Sequence, residues 1–211
     1  MPRAVFVMGA SGSGKSTLSS VLSEHLGIAV FQGGRLLRQM AGSATSAYAR
    51  SAQKIIALGL PIPIELYKEL ILSYDSVHGR SIIFDGYPRD TEQCLHIPSV
   101  LEAAKIPGAA VTGVFVLADA QTITCRLRQR KICGHCGGPW DDLVPCCSTP
   151  TPVTRPDDEN LALIRKRMAL YDANAPRIRA HFTTRWPVFD VRPSQPDALI
   201  LLLSHLANQG C

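Results

Sequence analysis

In Gly9-Ala10-Ser11-Gly12-Ser13-Gly14-Lys15-Ser16-Thr17, the eight residues from Gly9 to Ser16 fit the pattern G-x-x-x-x-G-K-[ST] without a gap. Such a segment works through its backbone. The glycines let the chain curl so that successive N–H groups point inward at a phosphate, and a following helix adds the positive end of its dipole. Lys15 would then reach the outer phosphates of a nucleoside triphosphate, and the Ser16 hydroxyl would ligate Mg²⁺. A Gly/Ser linker can carry the same letters by chance, but the flanks argue against it. Ala4-Val5-Phe6-Val7-Met8 is a short apolar run suited to a buried strand, and Thr17 to Leu26 sets Leu18, Val21, Leu22 and Leu26 on one helical face.

A second group follows the apolar run Ser81–Phe84: Asp85-Gly86-Tyr87-Pro88-Arg89. In a doubly wound sheet ligands collect at the carboxyl ends of strands. Asp85 is therefore expected beside the phosphate loop, where a carboxylate holds Mg²⁺ directly or through water. Arg89 is placed to grip a second, acceptor phosphate in bidentate fashion. Alone, these five residues read equally as an ordinary turn. A third group is Cys133, Cys136, Cys146 and Cys147, four of the seven cysteines, within fifteen residues. Cys133-Gly134-His135-Cys136 is half of a zinc knuckle, with the glycines that follow permitting the tight turn. The adjacent Cys146-Cys147 pair is an irregular second half, for which His135, Asp141 or Asp142 could substitute. The other reading is a segment without metal, keeping thiols or a vicinal disulfide.

These groups need a scaffold, and the hydrophobic pattern supplies one. Apolar runs at Ala4–Met8, Ile28–Phe31, Ser81–Phe84, Val111–Leu117 and Val188–Val191 alternate with helical patterns. The alternation predicts an α/β fold, a doubly wound five-stranded parallel sheet covered by helices on both faces. Between the second and third runs, Gly34–Met40, Ser46–Leu58 and Pro63–Tyr74 read as three short helices, a helical insertion. A second insertion, from about Lys131 to Pro156, is rich in Gly, Pro, Cys and Thr and has no periodic apolar face of its own. The chain then predicts a helix over Asp157–Ala173, another over Arg177–Phe182, a last strand and a final helix from Pro196. With 46% hydrophobic and 18% charged residues the 211-residue chain is globular. It has no apolar run of the ~20 residues that span a bilayer. Its net charge of +5 comes from dispersed arginines, with no basic-aromatic platform for nucleic acid. The phosphate loop begins at residue 9, leaving no room for a cleaved leader, and seven cysteines without a secretory context argue against a disulfide framework; the cytoplasm is the expected compartment.

Together, the phosphate loop and Asp85-Gly86-Tyr87-Pro88-Arg89 resemble the adenylate kinase branch of the nucleoside monophosphate kinases, whose hallmark is D-G-[FY]-P-R. Further landmarks follow in order along nearly the whole chain. Leu36-Leu37-Arg38 resembles the G-D-L-L-R segment, Arg38 matching its phosphate-binding arginine. Gln93 matches the glutamine that reads the adenine edge of AMP. Arg126 and Arg130 match an R-x-x-x-R entering a lid, and Arg155-Pro156-Asp157-Asp158 resembles the R-x-D-D lid exit. Arg165-Lys166-Arg167-Met168-Ala169-Leu170-Tyr171 resembles R-K-R-L-x-x-Y, which gives Arg167 a phosphate-clamping role. The resemblance implies phosphoryl transfer from MgATP to AMP by a monomer, with no membrane or nucleic-acid partner. Lys15, Arg89, Arg130, Arg155 and Arg167 would act on the transferring group. Gly9, Ser11, Gly12, Ser13, Gly14, Lys15, Ser16, Thr17, Asp85 and Arg126 would hold MgATP, and Arg38, Gly86, Arg89 and Gln93 the acceptor. Residues 1–32, 75–130 and 157–211 would form the core, 33–74 a monophosphate-binding lobe and 131–156 a lid with Cys133, Cys136, Cys146 and Cys147 as zinc ligands.

Each assignment has a plainer alternative. Asp90 and Gln93 also fit a helix capping box. Asp157, Asp158 and Glu159 fit a first helical turn complementing its dipole. Arg128, Arg165 and Lys166 read as a solvated face. Two segments depart from the family pattern: Gly33, Gly34 and Arg35 stand where a hydroxyl and an acid are usual, and Ser16 replaces a commoner glycine. These keep open a kinase of another small acceptor, or a catalytically weak nucleotide-binding protein.

Overall fold

A computed structural model describes residues 1–43, 48–74, 78–135, 137–138, 140, 147–193 and 195–208. Each of the five apolar runs becomes a strand of one parallel sheet. The chain opens with β1 (Arg3–Met8), α1 (Lys15–Leu26) and β2 (Ala29–Phe31), then runs through the helical insertion α2 (Gly33–Gly42), α3 (Ala49–Leu58) and α4 (Ile64–Leu72). It returns through β3 (Ile82–Asp85), α5 (Thr91–Leu95), α6 (Ile97–Ala103), β4 (Ala110–Val116) and α7 (Ala120–Gln129). After the short strands β5 (Lys131–Cys133) and β6 (Pro152–Thr154) come α8 (Pro156–Glu159), α9 (Leu161–Thr183), β7 (Val188–Val191) and α10 (Pro196–Asn208).

The sheet order is β2-β3-β1-β4-β7, all neighbours parallel. β1 therefore lies at the centre, between strands that arrive much later in the chain. Its register with β3 pairs Val7 with Asp85, so the carboxylate emerges beside the start of the phosphate loop. Successive side chains of a strand point to opposite faces, and β1 shows this. Ala4, Phe6 and Met8 join the core under the helical insertion, where Phe6 stacks on Phe84 with centroids 4.8 Å apart. Val5 and Val7 face the other way, onto Leu18 and Leu22 of α1 and Leu202 and Leu206 of α10.

The end of the chain departs from the expected pair of helices. Residues 161–183 form one continuous helix with Pro176 inside it. An interior proline forfeits a hydrogen bond and costs about 3 kcal/mol in an isolated helix. Burial on both sides of Pro176 outweighs that, with Leu163 and Ile164 before it and Ile178 and Phe182 after it. Phe182 is fully buried and enters the sheet where Gly113 makes room; a Cβ there would lie 2.6 Å from the ring. The second insertion is rooted in a two-stranded antiparallel ladder, β5 with β6, pairing Lys131 with Thr154 and Cys133 with Pro152. No helix among the described residues is long and apolar enough to cross a membrane.

Candidate active site

The phosphate loop runs from the end of β1 to α1. Gly14 caps the helix with φ +105°, and Leu18 N–H already donates to its carbonyl at 3.0 Å. Gly12 has φ +85°, and a Cβ there would strike Leu127 of α7 at 2.9 Å, so both conformation and space demand glycine. Lys15 Nζ donates to Ala10 O at 2.6 Å, bending back over the loop. Though part of the residue lines the cleft, its ammonium end is enclosed. Burial lowers its pKa to about 7, Asp85 opposes the shift, and Arg89, Arg130 and Arg155 reinforce it.

Asp85 Oδ2 accepts hydrogen bonds from Ser16 Oγ at 2.6 Å and from Gln32 Nε2 at 3.1 Å. A hydroxyl and a carboxylate in contact at the mouth of a phosphate loop are hard oxygen donors of the kind Mg²⁺ takes. Gln32 was not singled out by its residue type. Its place, directly after β2, is the signal, because strand ends are where ligand groups gather.

The predicted arginines converge. Arg89 is held by donation from Nε to Gly86 O at 3.0 Å. Its pKa is lowered first by burial and then by Arg155 and Arg167, the signature of cations crowded round an anion site. A Cβ at Gly34 would lie 3.7 Å from Arg38 Nη1 and 3.8 Å from Arg89 Nη2, and one at Gly59 would lie 3.3 Å from Arg167 Nε. The helical insertion thus meets α9 and the core at these glycines. Arg126 Nη1 donates to Ser13 O at 3.0 Å, closing one side of the loop. Arg130 makes a two-pronged bond to Asp158, at 2.7 and 2.6 Å, and the Asp158 side chain is 1% exposed. Asp158, one of the acids that also fitted a dipole-complementing first turn, thus orients an arginine; only tertiary contact separates those readings.

Lys15, Arg38, Arg89, Arg126, Arg130, Arg155 and Arg167 all line one cleft of about 510 Å³, together with Gly9, Ser11, Gly12, Gly14, Ser16, Thr17, Asp85 and Gly86. Asp85 is the only acid among the described lining residues. Two of the predicted residues stand apart. Ser13 is buried behind the loop, its hydroxyl without a partner. Gln93 is 4% exposed and lies behind the wall: Asp90 Oδ1 accepts from its backbone N–H at 2.7 Å, while its side-chain Oε1 accepts from Arg89 N–H and its Nε2 donates to Ile62 O, both at 2.8 Å. Asp90 is therefore a helix cap, but the reciprocal half of a capping box is missing, since the glutamine turns to Arg89 instead of Asp90. Arg165, Lys166 and Arg128 are exposed, as a solvated face requires.

Of the four clustered cysteines, Cys133 is buried at the root of the β5–β6 ladder, with its sulfur 3.6 Å from that of Cys147. That is far beyond an S–S bond of about 2.05 Å. It is close to the ~3.8 Å edge of a tetrahedron of thiolates on zinc with bonds of about 2.3 Å. Cys136, Cys146, Asp141 and Asp142 lie outside the described residues. Among the described residues no group of three or more His, Cys, Asp or Glu is assembled for a metal.

A loop for one polyphosphate facing arginines for a second anion is the arrangement of an enzyme that moves a phosphoryl group. The family model described as "Adenylate kinase" matches residues 7–186. The chain belongs to the adenylate kinase family. Relatives at lower similarity agree. The adenylate kinase of Pseudothermotoga lettingae is 26% identical over 188 residues, covering 82% of this chain and 83% of that protein. That of Thermococcus kodakarensis is 28% identical over 177 residues, 81% and 78% of the two chains. That of Mycoplasmoides gallisepticum is 34% identical over 140 residues, 64% and 61% of the two. As a member of the adenylate kinase family the protein is a phosphotransferase with nucleotide substrates.

Proposed function

We propose that the protein transfers the γ-phosphoryl group of MgATP to AMP, giving two molecules of ADP. The observation that carries this reading is the meeting of Lys15 with Arg38, Arg89, Arg130, Arg155 and Arg167 around one cleft. Phosphoryl transfer needs no nucleophile from the protein: a phosphate oxygen of the acceptor attacks in line, and charge spreads over the equatorial oxygens of the moving group. Catalysis is then positioning plus preorganised positive charge. The loop and Lys15 hold the donor, with Arg126 beside it. Arg38 and Arg89 hold the acceptor phosphate, Arg130, Arg155 and Arg167 stabilise the transferring group, and Ser16 and Asp85 would hold the Mg²⁺ that travels with ATP. That ion neutralises charge on the outer phosphates.

Residues 33–74 act as the acceptor lobe and 131–156 as a lid that keeps water from the phosphoryl group. Cys133 and Cys147 would give two of the thiolates of a structural zinc in the lid, which supplies folding energy to a segment without a core. A second acceptor nucleotide is favoured by Arg35, a cation lining the cleft where the family usually carries an acid. A coupled assay of ADP formation from MgATP with AMP, CMP, UMP and dTMP tests the reading. AMP-dependent turnover is expected, and it disappears in Lys15→Ala and Arg89→Ala. No turnover with any of the four would overturn it.

A further inference from the structure

The sheet brings three side chains to one point at the mouth of the phosphate loop. β2 and β3 run parallel with Phe31 opposite Phe84, so the next residue of each strand, Gln32 and Asp85, leaves the sheet beside the other. β1 lies on the other side of β3, with Val7 opposite Asp85, and leads into the loop that ends at Ser16. Gln32 Nε2 and Ser16 Oγ both donate to the same oxygen, Asp85 Oδ2, at 3.1 and 2.6 Å. Among the described residues no donor reaches Oδ1. Gln32 is itself held from both directions. Phe31 before it is fully buried, and its own carbonyl accepts from the N–H groups of Arg35 at 2.9 Å and Leu36 at 3.2 Å as α2 begins.

Two facts give this amide a task. Asp85 is the only acid among the described lining residues, so one carboxylate serves any cation bound at this end of the cleft. Its surroundings are cationic: Lys15, Arg38 and Arg89 line the same cleft, and so does Arg35, where the family usually carries an acid. A lone carboxylate among guanidinium groups is drawn toward a bidentate pair with one of them, unless something fixes its plane. The two donors on Oδ2 do so, and they differ in kind. A hydroxyl keeps lone pairs while it donates, so Ser16 can ligate a cation and hold Asp85 together. The Gln32 amide nitrogen has donors only, so it reaches a cation solely through Asp85.

We propose that Gln32 is the positioning residue of the metal end of the cleft: its amide fixes the Asp85 carboxylate beside Ser16, ready for Mg²⁺, and keeps it from pairing with the neighbouring cations. The inference rests on the reading above, that the loop holds ATP with its Mg²⁺.

The test uses Mn²⁺ as a paramagnetic stand-in for Mg²⁺. Electron paramagnetic resonance follows its binding to the protein–ATP complex in the wild type and in Gln32→Leu, which removes the donor at similar volume. Groups that orient a metal ligand from behind commonly carry 10–100-fold in affinity, so the leucine variant is expected to weaken Mn²⁺ binding about tenfold. The Mg²⁺ concentration giving half-maximal turnover should rise by the same factor, while calorimetric binding of ATP in EDTA stays within about twofold. An unchanged Mn²⁺ affinity in folded Gln32→Leu overturns the proposal even if Tm falls, because a lower Tm alone is what a merely structural amide would give. An equal loss of ATP binding in EDTA overturns it as well. Should the leucine variant fail to fold, Gln32→Met, more flexible and equally without a donor, carries the same expectation. Wild-type protein that binds no ATP would overturn the cradle and this proposal together. Metal binding that depends on Gln32, with no AMP-dependent turnover, would uphold the positioning role and overturn the acceptor reading alone.

Discussion

Lys15 offers a quantitative test of the phosphate cradle. In the unliganded protein its ammonium is enclosed beside Arg89, Arg130 and Arg155, with a pKa near 7 against an ordinary value of 10.5. At pH 8 roughly one molecule in ten then carries the proton. A bound triphosphate supplies the negative charge that the site lacks and returns the lysine toward its ordinary pKa, so binding draws a proton from solution. The uptake is about 0.9 per nucleotide at pH 8, about 0.5 at pH 7 and about 0.1 at pH 6. The apparent affinity for MgATP weakens toward tenfold per pH unit above 7 for the same reason. Isothermal titration calorimetry in two buffers of different ionisation enthalpy measures the uptake directly, and Lys15→Met should abolish it. The folded-state linkage has the opposite appearance. Between pH 7 and about 10.5 the unfolded chain holds more protons at this residue than the folded one, so the stability of the unliganded protein gains from Lys15 as pH rises. Uptake near zero at pH 8, with a dissociation constant flat from pH 7 to 9, would mean that Lys15 is already charged before nucleotide arrives, and the account of the cradle would fail.

Two further expectations concern the second insertion and the residues that flank it. Asp158→Asn removes the charge facing Arg130 from a site where the carboxylate is 1% and the guanidinium 29% exposed. Breaking a buried pair costs 3–5 kcal/mol, and rehydration of the partly exposed arginine reduces this to about 2 kcal/mol, or a drop of about 4–8 °C in Tm by scanning calorimetry; an unchanged Tm would refute it. Metal analysis of the purified protein should find about one zinc per chain, lost in Cys133→Ser together with protease resistance of residues 131–156. Protein free of zinc with an equally resistant insertion would eliminate the metal.

Much of this was legible in the chain because the signals are local. Five apolar runs became five strands, and loop glycines and arginines at fixed spacings reached one cleft. The register of Val7 with Asp85 could be anticipated only through the rule that ligands gather at strand ends. What escaped depends on contacts between distant segments. Pro176 looks like a helix end until the packing of Ile178 and Phe182 is known. Asp158 declares its role only when Arg130, 28 residues earlier, lies across from it. Gln93 fits both a cap and a base reader by type; its burial separates it from the cleft.

The long helix α9 bears Arg167 in its second turn and Phe182 near its far end, fifteen residues or about 22 Å along the same rod. One end projects into the cleft and the other is wedged through the gap at Gly113 into the middle of the sheet. In the proposed reaction, the aim of the Arg167 cation and the thermal robustness of the core are thereby mounted on a single lever. Mutational drift deep in the aromatic cluster cannot stay silent, because loosening the anchor re-points the cation, and selection on turnover will police packing far from any nucleotide.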